Sequence, residues 1–179
     1  MKTSDLLTLL DQMDQKGAWL FTSQMLKLLL NESDRACLAT INRASKSGIL
    51  RQVHKGIYSN DRAKSKPPHA AETLSLYLKP GTLSYLSLES RLSELGIISQ
   101  IPSRLTFMTT GRSQTFHTAY GTLEFVHTKR SPEKIMPDIS MDQQRGIYVA
   151  SPERALKDLR HVRRNLDLIS QESADEIHH

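Results

Sequence analysis

Arg35, Asn42 and Lys46 recur at i, i+7 and i+11 in a stretch that opens at Ser33, and Arg43 flanks them. At 3.6 residues per turn this spacing lines them up along one helix stripe, with small Ala39 at i+4 letting that stripe approach a partner closely. A guanidinium offers a planar fork of donors, and a carboxamide sets a donor beside an acceptor. These groups read guanine and adenine edges in the major groove of duplex DNA. Ser33 and the free N–H groups of a helix start suit a phosphate. After Asp34 the stripe carries no acid. A solvated helix face is the competing reading, but such faces usually mix both signs. Arg51, His54 and Lys55 lie a few residues downstream, where His54 and Lys55 would sit at a hairpin tip suited to phosphate or minor-groove contact.

The elements needed to position these side chains are legible. Leu6, Leu7, Leu9, Leu10 and Met13 fall near helical spacing, with Ser4 or Thr3 as N-cap and Gly17 as the stop. Trp19-Leu20-Phe21 is a short apolar run. Thr22 starts a second helix, from Ser23 to about Leu30, and Asn31-Glu32 turns the chain. Ser33 is the expected N-cap of a third helix, which ends at Gly48. Cys37, Ile41 and Ala44 should face inward, with Leu38 beside them. The runs I-L-R-Q-V and I-Y-S, joined by H-K-G, read as a β-hairpin with Gly56 supplying positive φ. Helix, short strand, helix, turn, helix and hairpin follow one another in the order of a winged helix-turn-helix.

Charge sharpens this division. Residues 1–66 hold 11 Lys and Arg against six Asp and Glu, while residues 67–179 hold 13 of each, so the first third carries the whole net charge of +5. Between Arg35 and Lys66 eight basic residues face only Asp61. Such asymmetry fits a polyanionic partner, or a merely solvated basic surface. The polar, basic stretch at 59–68 ends in Pro67-Pro68 and reads as a linker. The expected organisation is a winged helix-turn-helix over 1–60, a linker over 61–68 and a small mixed α+β domain over 69–179, an α+β protein overall. Within the linker, Arg62, Lys64 and Lys66 are open to phosphate contact or to a solubilising role.

The second part alternates short elements. Helical spacing marks 69–78 and 87–95, and Leu83 to Leu86 is a buried strand or the lead into a helix. Residues 104–110, 122–128 and 146–150 have strand character. Ser151-Pro152-Glu153 starts a last helix. Catalytic constellations are not recognisable. The chain has no Gly-rich phosphate loop, HExxH, paired-Cys zinc spacing or G-x-S-x-G elbow. His117 and His127 are read as ordinary packed or exposed histidines, and Ser87, Glu89 and Ser90 as capping residues. No enzymatic activity, cofactor or metal is expected. One cysteine, Cys37, precludes a disulfide framework. No apolar run approaches the ~20 residues of a membrane span, and the N-terminus lacks signal-peptide character, so a cytoplasmic setting is expected.

Three segments carry a family resemblance. Phe21 through G-I-L-R-Q-V-H-K-G-I-Y (48–58), L-S-Y-L-S-L-E-S-R-L-S-E-L-G (83–96) and G-I-Y-V-A-S-P-E-R-A-L-K-D-L (146–159) together resemble the AbiEi family, antitoxins of abortive-infection, type IV toxin–antitoxin systems. The resemblance spans roughly residues 6–160. It implies phage defence through a repressor that binds inverted repeats of its own operon with an N-terminal winged helix-turn-helix. A C-terminal domain would neutralise a nucleotidyltransferase-like toxin. The alternative is a plain winged-helix transcription regulator whose second domain binds a ligand or dimerises. The chain is shorter after the S-P-E-R helix than many relatives, and Ile49 and Gln52 stand where relatives often carry charge. His178-His179 are given no functional weight.

Overall fold

A computed structural model describes residues 1–169. The protein is a mixed α+β chain with seven α-helices and two sheets among the described residues. It divides into two compact units. The first comprises residues 1–70 with residues 118–120, and the second comprises 71–117 with the chain from 121 onward.

The first unit is built on three helices and a small sheet. Its helices are α1 (Thr3–Gln15), α2 (Ser23–Leu30) and α3 (Asp34–Lys46). Thr22 caps α2 by accepting from the Met25 N–H. Asn31 then takes the left-handed conformation at φ 48°, which ends α2 and starts the short turn into α3. The sheet has order β1-β3-β2, from β1 (Leu20–Thr22), β2 (Arg51–His54) and β3 (Ile57–Ser59), all antiparallel. A register shift between Gln52 and His54 leaves Val53 as a bulge, and Gly56 at φ +73° closes the hairpin. Leu6, Leu10, Phe21, Leu26, Leu30, Cys37, Ile41, Ala44 and Leu50 form the core. Cys37 is fully buried, and burial pushes its thiol pKa up.

Two expectations need correction here. Leu38 does not join the buried stripe of α3: it is 55% exposed. It follows Cys37 by one residue, hence by about 100° of helix rotation, which carries it off the core face. Residues 61–66, expected as a linker, are tied into the first unit. Asp14 accepts from the Lys64 N–H at 2.9 Å and the Ser65 N–H at 2.8 Å. Hydrogen bonds from Ser65 and Lys64 hold its carboxyl below the usual range. Asp61 accepts from Ser59, Lys66 and Tyr120. Burial pushes the Asp61 carboxyl up, but those hydrogen bonds outweigh it and bring its pKa down to about 2. A polar, basic composition thus conceals a segment anchored by two carboxylates from the first sixty-one residues. The chain passes to the second unit at Ala70, after Pro67-Pro68.

The second unit holds a six-stranded mixed sheet of order β6-β7-β5-β4-β9-β8. Its strands are β4 (Ser84–Leu86), β5 (Leu105–Thr109), β6 (Gln114–Thr118), β7 (Gly121–His127), β8 (Ile139–Asp142) and β9 (Ile147–Ala150). β4 pairs parallel with β9, and β5 parallel with β7. Four helices accompany the sheet: α4 (Ala70–Leu78), α5 (Leu88–Glu94), the short α6 (Pro132–Ile135) and α7 (Pro152–Val162). Ser151 caps α7 as expected, accepting from the Arg154 N–H, with Pro152 in the first turn. Leu88, Leu92, Leu156 and Leu159 pack α5 and α7 into one core with Tyr85, Met108 and Ile135.

Candidate nucleic-acid interface

All the candidate contact residues fall in the first unit, on α3 and the β2–β3 hairpin. Helix α3 buries Cys37, Thr40, Ile41 and Ala44, which leaves the opposite face to solvent. Ser33, Arg35, Asn42, Arg43 and Lys46 are all exposed on α3 or at its N-cap. Ser33 occupies the N-cap position, yet its hydroxyl makes no capping hydrogen bond. The side chains of Arg35, Asn42 and Lys46 make no hydrogen bond or ion pair with any described residue.

Arg43 is placed differently. Its Nη2 donates to the Met1 carbonyl and to Thr40 Oγ1, both at 3.2 Å. Thr40 in turn donates to Glu32 at 2.9 Å. Arg43 therefore braces α3 against the chain start, and its fork is partly committed. Two acids stand near the start of the helix, and both are paired: Glu32 with the Met1 ammonium group, and Asp34 with Lys27 at 2.9 Å. The remaining charge of the α3 surface comes from Arg35, Arg43 and Lys46.

The hairpin residues separate in the same way. Lys55 is exposed in the turn between β2 and β3, with no hydrogen bond or ion pair to a described residue. His54 is half-buried and makes internal interactions of its own. Arg51 is held within the first unit: it donates to Asp61 at 3.5 Å and to the Ala119 carbonyl at 3.4 Å. Its guanidinium also lies 5.6 Å from the centre of the Tyr120 ring. Lys66 is similarly engaged, 2.7 Å from Asp61 and 4.8 Å from the Tyr120 ring centre. Arg62 and Lys64 remain exposed. The sequence alone could not separate these cations, because the partners that occupy Arg51 and Lys66 come from Asp61 and from residues 119–120.

Other sequence candidates resolve as internal contacts. His117 meets Thr122 Oγ1 at 3.2 Å, and His127 meets the Gly111 carbonyl at 2.8 Å. Among the described residues no three His, Cys, Asp or Glu side chains stand together as metal ligands would. Ser87 occupies the N-cap position of α5, but its hydroxyl makes no capping hydrogen bond, and Ser90 lies within the helix, which corrects the expectation that both hydroxyls cap. Ser87 Oγ donates to Asp158 at 2.8 Å, and Ser90 Oγ donates to the Arg104 carbonyl at 3.2 Å. Leu88, at φ +56°, makes the sharp strand-to-helix bend that turns both hydroxyls inward. Among the described residues no helix is long and apolar enough to cross a membrane. No protein-family model matches the chain, and no curated protein matches it.

Proposed function

We propose that the first unit is a winged helix-turn-helix that binds duplex DNA, with α3 in the major groove and Lys55 at the wing tip. The observation that carries this reading is the uncommitted α3 stripe. Arg35, Asn42 and Lys46 project from one face with no internal partner among the described residues, as does Lys55 at the hairpin turn, while Lys27, Arg43, Arg51 and Lys66 of the same unit are partly occupied. Free donors cost nothing in internal contacts when they turn to a base edge or a phosphate. We further propose that the chain is an antitoxin-type repressor that binds inverted repeats in its own operon and neutralises a nucleotidyltransferase-like toxin. Support for that part is the resemblance of residues 83–96 and 146–159 to AbiEi antitoxins.

Gel-shift titration of the full chain on the DNA upstream of its own gene tests the first reading. Affinity should fall steeply with salt, with a log–log slope of about −0.9 for each phosphate contacted. Asn42→Ala should cost roughly 1–3 kcal/mol on the operator and little on random duplex, whereas Lys55→Ala should weaken both alike. Salt-insensitive binding, or an Asn42→Ala protein indistinguishable from wild type on both DNAs, would sink the placement of α3. The antitoxin reading is tested by co-expression with the neighbouring gene product. An intact protein that represses a promoter reporter but never rescues growth is a plain regulator.

A further inference from the structure

We propose that the second unit contains a binding site for a small polyphosphate ligand, a nucleoside triphosphate or pyrophosphate. The site is a cavity of about 440 Å³ lined by the chain leaving β7, by α6 and by α7. This volume lies within the ordinary range for small-molecule pockets, about 300–1,000 Å³.

The lining chemistry identifies the ligand class. Lys129, Lys134, Lys157 and His161 border the cavity, and their side chains make no hydrogen bond or ion pair with any described residue. Arg130 and Arg154 complete the border, held in place by acids behind them. Arg130 Nη1 lies 2.9 Å from Asp138. Arg154 donates from Nε to Asp158 at 2.9 Å and lies 3.6 Å from Asp138. Asp158 is the one carboxylate in the lining, and it is only 2% exposed. Both its oxygens are consumed: Oδ1 by Arg154, Oδ2 by Tyr85 and Ser87. Its charge is therefore spent on orienting Arg154 rather than on repelling an anion.

Two pre-positioned guanidinium groups and three loose ammonium groups around one opening suit a ligand with several negative charges close together. Planar forks take phosphate oxygens in pairs, and lysines add point charge without demanding fixed geometry. A monocarboxylate would leave most of these cations unanswered. A nonspecific basic surface does not explain why Tyr85, Ser87 and a buried aspartate are committed to fixing one arginine at its edge. The inference stands apart from DNA binding, since every residue involved belongs to the second unit.

Isothermal titration of the full chain with ATP and with pyrophosphate tests the site. Saturable, near-stoichiometric binding is expected for wild type. The Lys134→Ala/Lys157→Ala protein should bind at least tenfold more weakly, and both positions are exposed, so its fold should be intact by circular dichroism. Lys55→Ala, in the other unit, should bind these ligands like wild type. Absence of saturable binding by wild type at millimolar ligand overturns the proposal. So does a Lys134→Ala/Lys157→Ala protein that binds as tightly as wild type. If duplex DNA of any sequence binds through Lys134 and Lys157 while ATP and pyrophosphate do not bind, the cavity is part of a nucleic-acid surface and the small-ligand site is refuted.

Discussion

Leu156→Asp is expected to unfold the second unit and abolish whatever activity that unit carries, while the first unit keeps its tertiary signal. Leu156 is 3% exposed in the core that joins α5, α7 and Ile135. An aspartate there removes a packed side chain and adds a carboxylate with nothing to pair with. Loss of the leucine alone costs about 2–5 kcal/mol, and an unpaired buried charge costs more. The sum rivals the 5–15 kcal/mol that holds a typical domain together. Trp19, the only tryptophan and 4% exposed, is a built-in reporter for the first unit. Its fluorescence should remain native-like while circular dichroism loses the contribution of the second unit. Growth rescue in a toxin assay should vanish, and DNA binding should persist in weakened form. Weakening is expected because residues 118–120 belong to the first unit although the chain on either side of them does not. Tyr120 supplies the ring beside Trp19 and a hydrogen bond to Asp61. A Leu156→Asp protein with unchanged circular dichroism would contradict the core placement. Complete loss of the native Trp19 signal would contradict separate units.

That dependence on residues 118–120 marks where sequence reading ran out. The helices and hairpin of the first unit were legible because their signals are local. Thr22 caps its own helix, Asn31 and Gly56 take positive φ where turns demand it, and Cys37, Ile41 and Ala44 repeat at helical spacing. The anchoring of 61–66 was not legible, since Asp14 lies some fifty residues away from the N–H groups it accepts. In the second unit β5, β7 and β9 showed strand composition, but β6 and β8 did not. Q-T-F-H-T and I-S-M-D are short and bury only Phe116 between them, so no alternating apolar run advertises them. At the candidate interface the residue types were readable and their availability was not. Arg43 and Arg51 look like Arg35 in a sequence, and only the positions of Met1, Asp61 and Tyr120 distinguish them. The cationic cavity was invisible for a related reason. Its residues are scattered over 128–161, with neutralising acids interspersed, and the second part shows no net charge.

Arg164→Ala should destabilise the second unit by about 3–5 kcal/mol near neutral pH, and the loss should shrink in acid. Arg164 follows the left-handed Arg163 that ends α7, and its guanidinium bridges two carboxylates. Nε and Nη2 donate to Glu89 at 2.8 and 2.9 Å, and Nη1 and Nη2 donate to Glu124 at 2.7 and 2.9 Å. Glu89 is 6% exposed. Burial, the largest influence, pushes its carboxyl pKa up, but hydrogen bonds from Arg164, its own backbone N–H and Asn165, together with the Arg164 charge, outweigh burial and hold it below the ordinary value of 4.5. In the wild type this contribution is therefore full above that ordinary value and is lost as pH falls through the lower folded value. In Arg164→Ala the burial remains, and of the groups opposing it only the backbone and Asn165 hydrogen bonds are left, so the folded pKa of Glu89 should rise above 4.5 instead. A raised carboxyl reverses the sign: the penalty is full above the raised value and fades as pH drops and Glu89 takes a proton. Urea midpoints for both proteins at about pH 7 and about pH 4.5 should thus converge in acid. Glu89→Gln in the Arg164→Ala background should recover much of the neutral-pH loss, because an amide needs no counter-charge. A gap that stays constant with pH, with no recovery in the double variant, would place the role of Arg164 in packing rather than in neutralising Glu89.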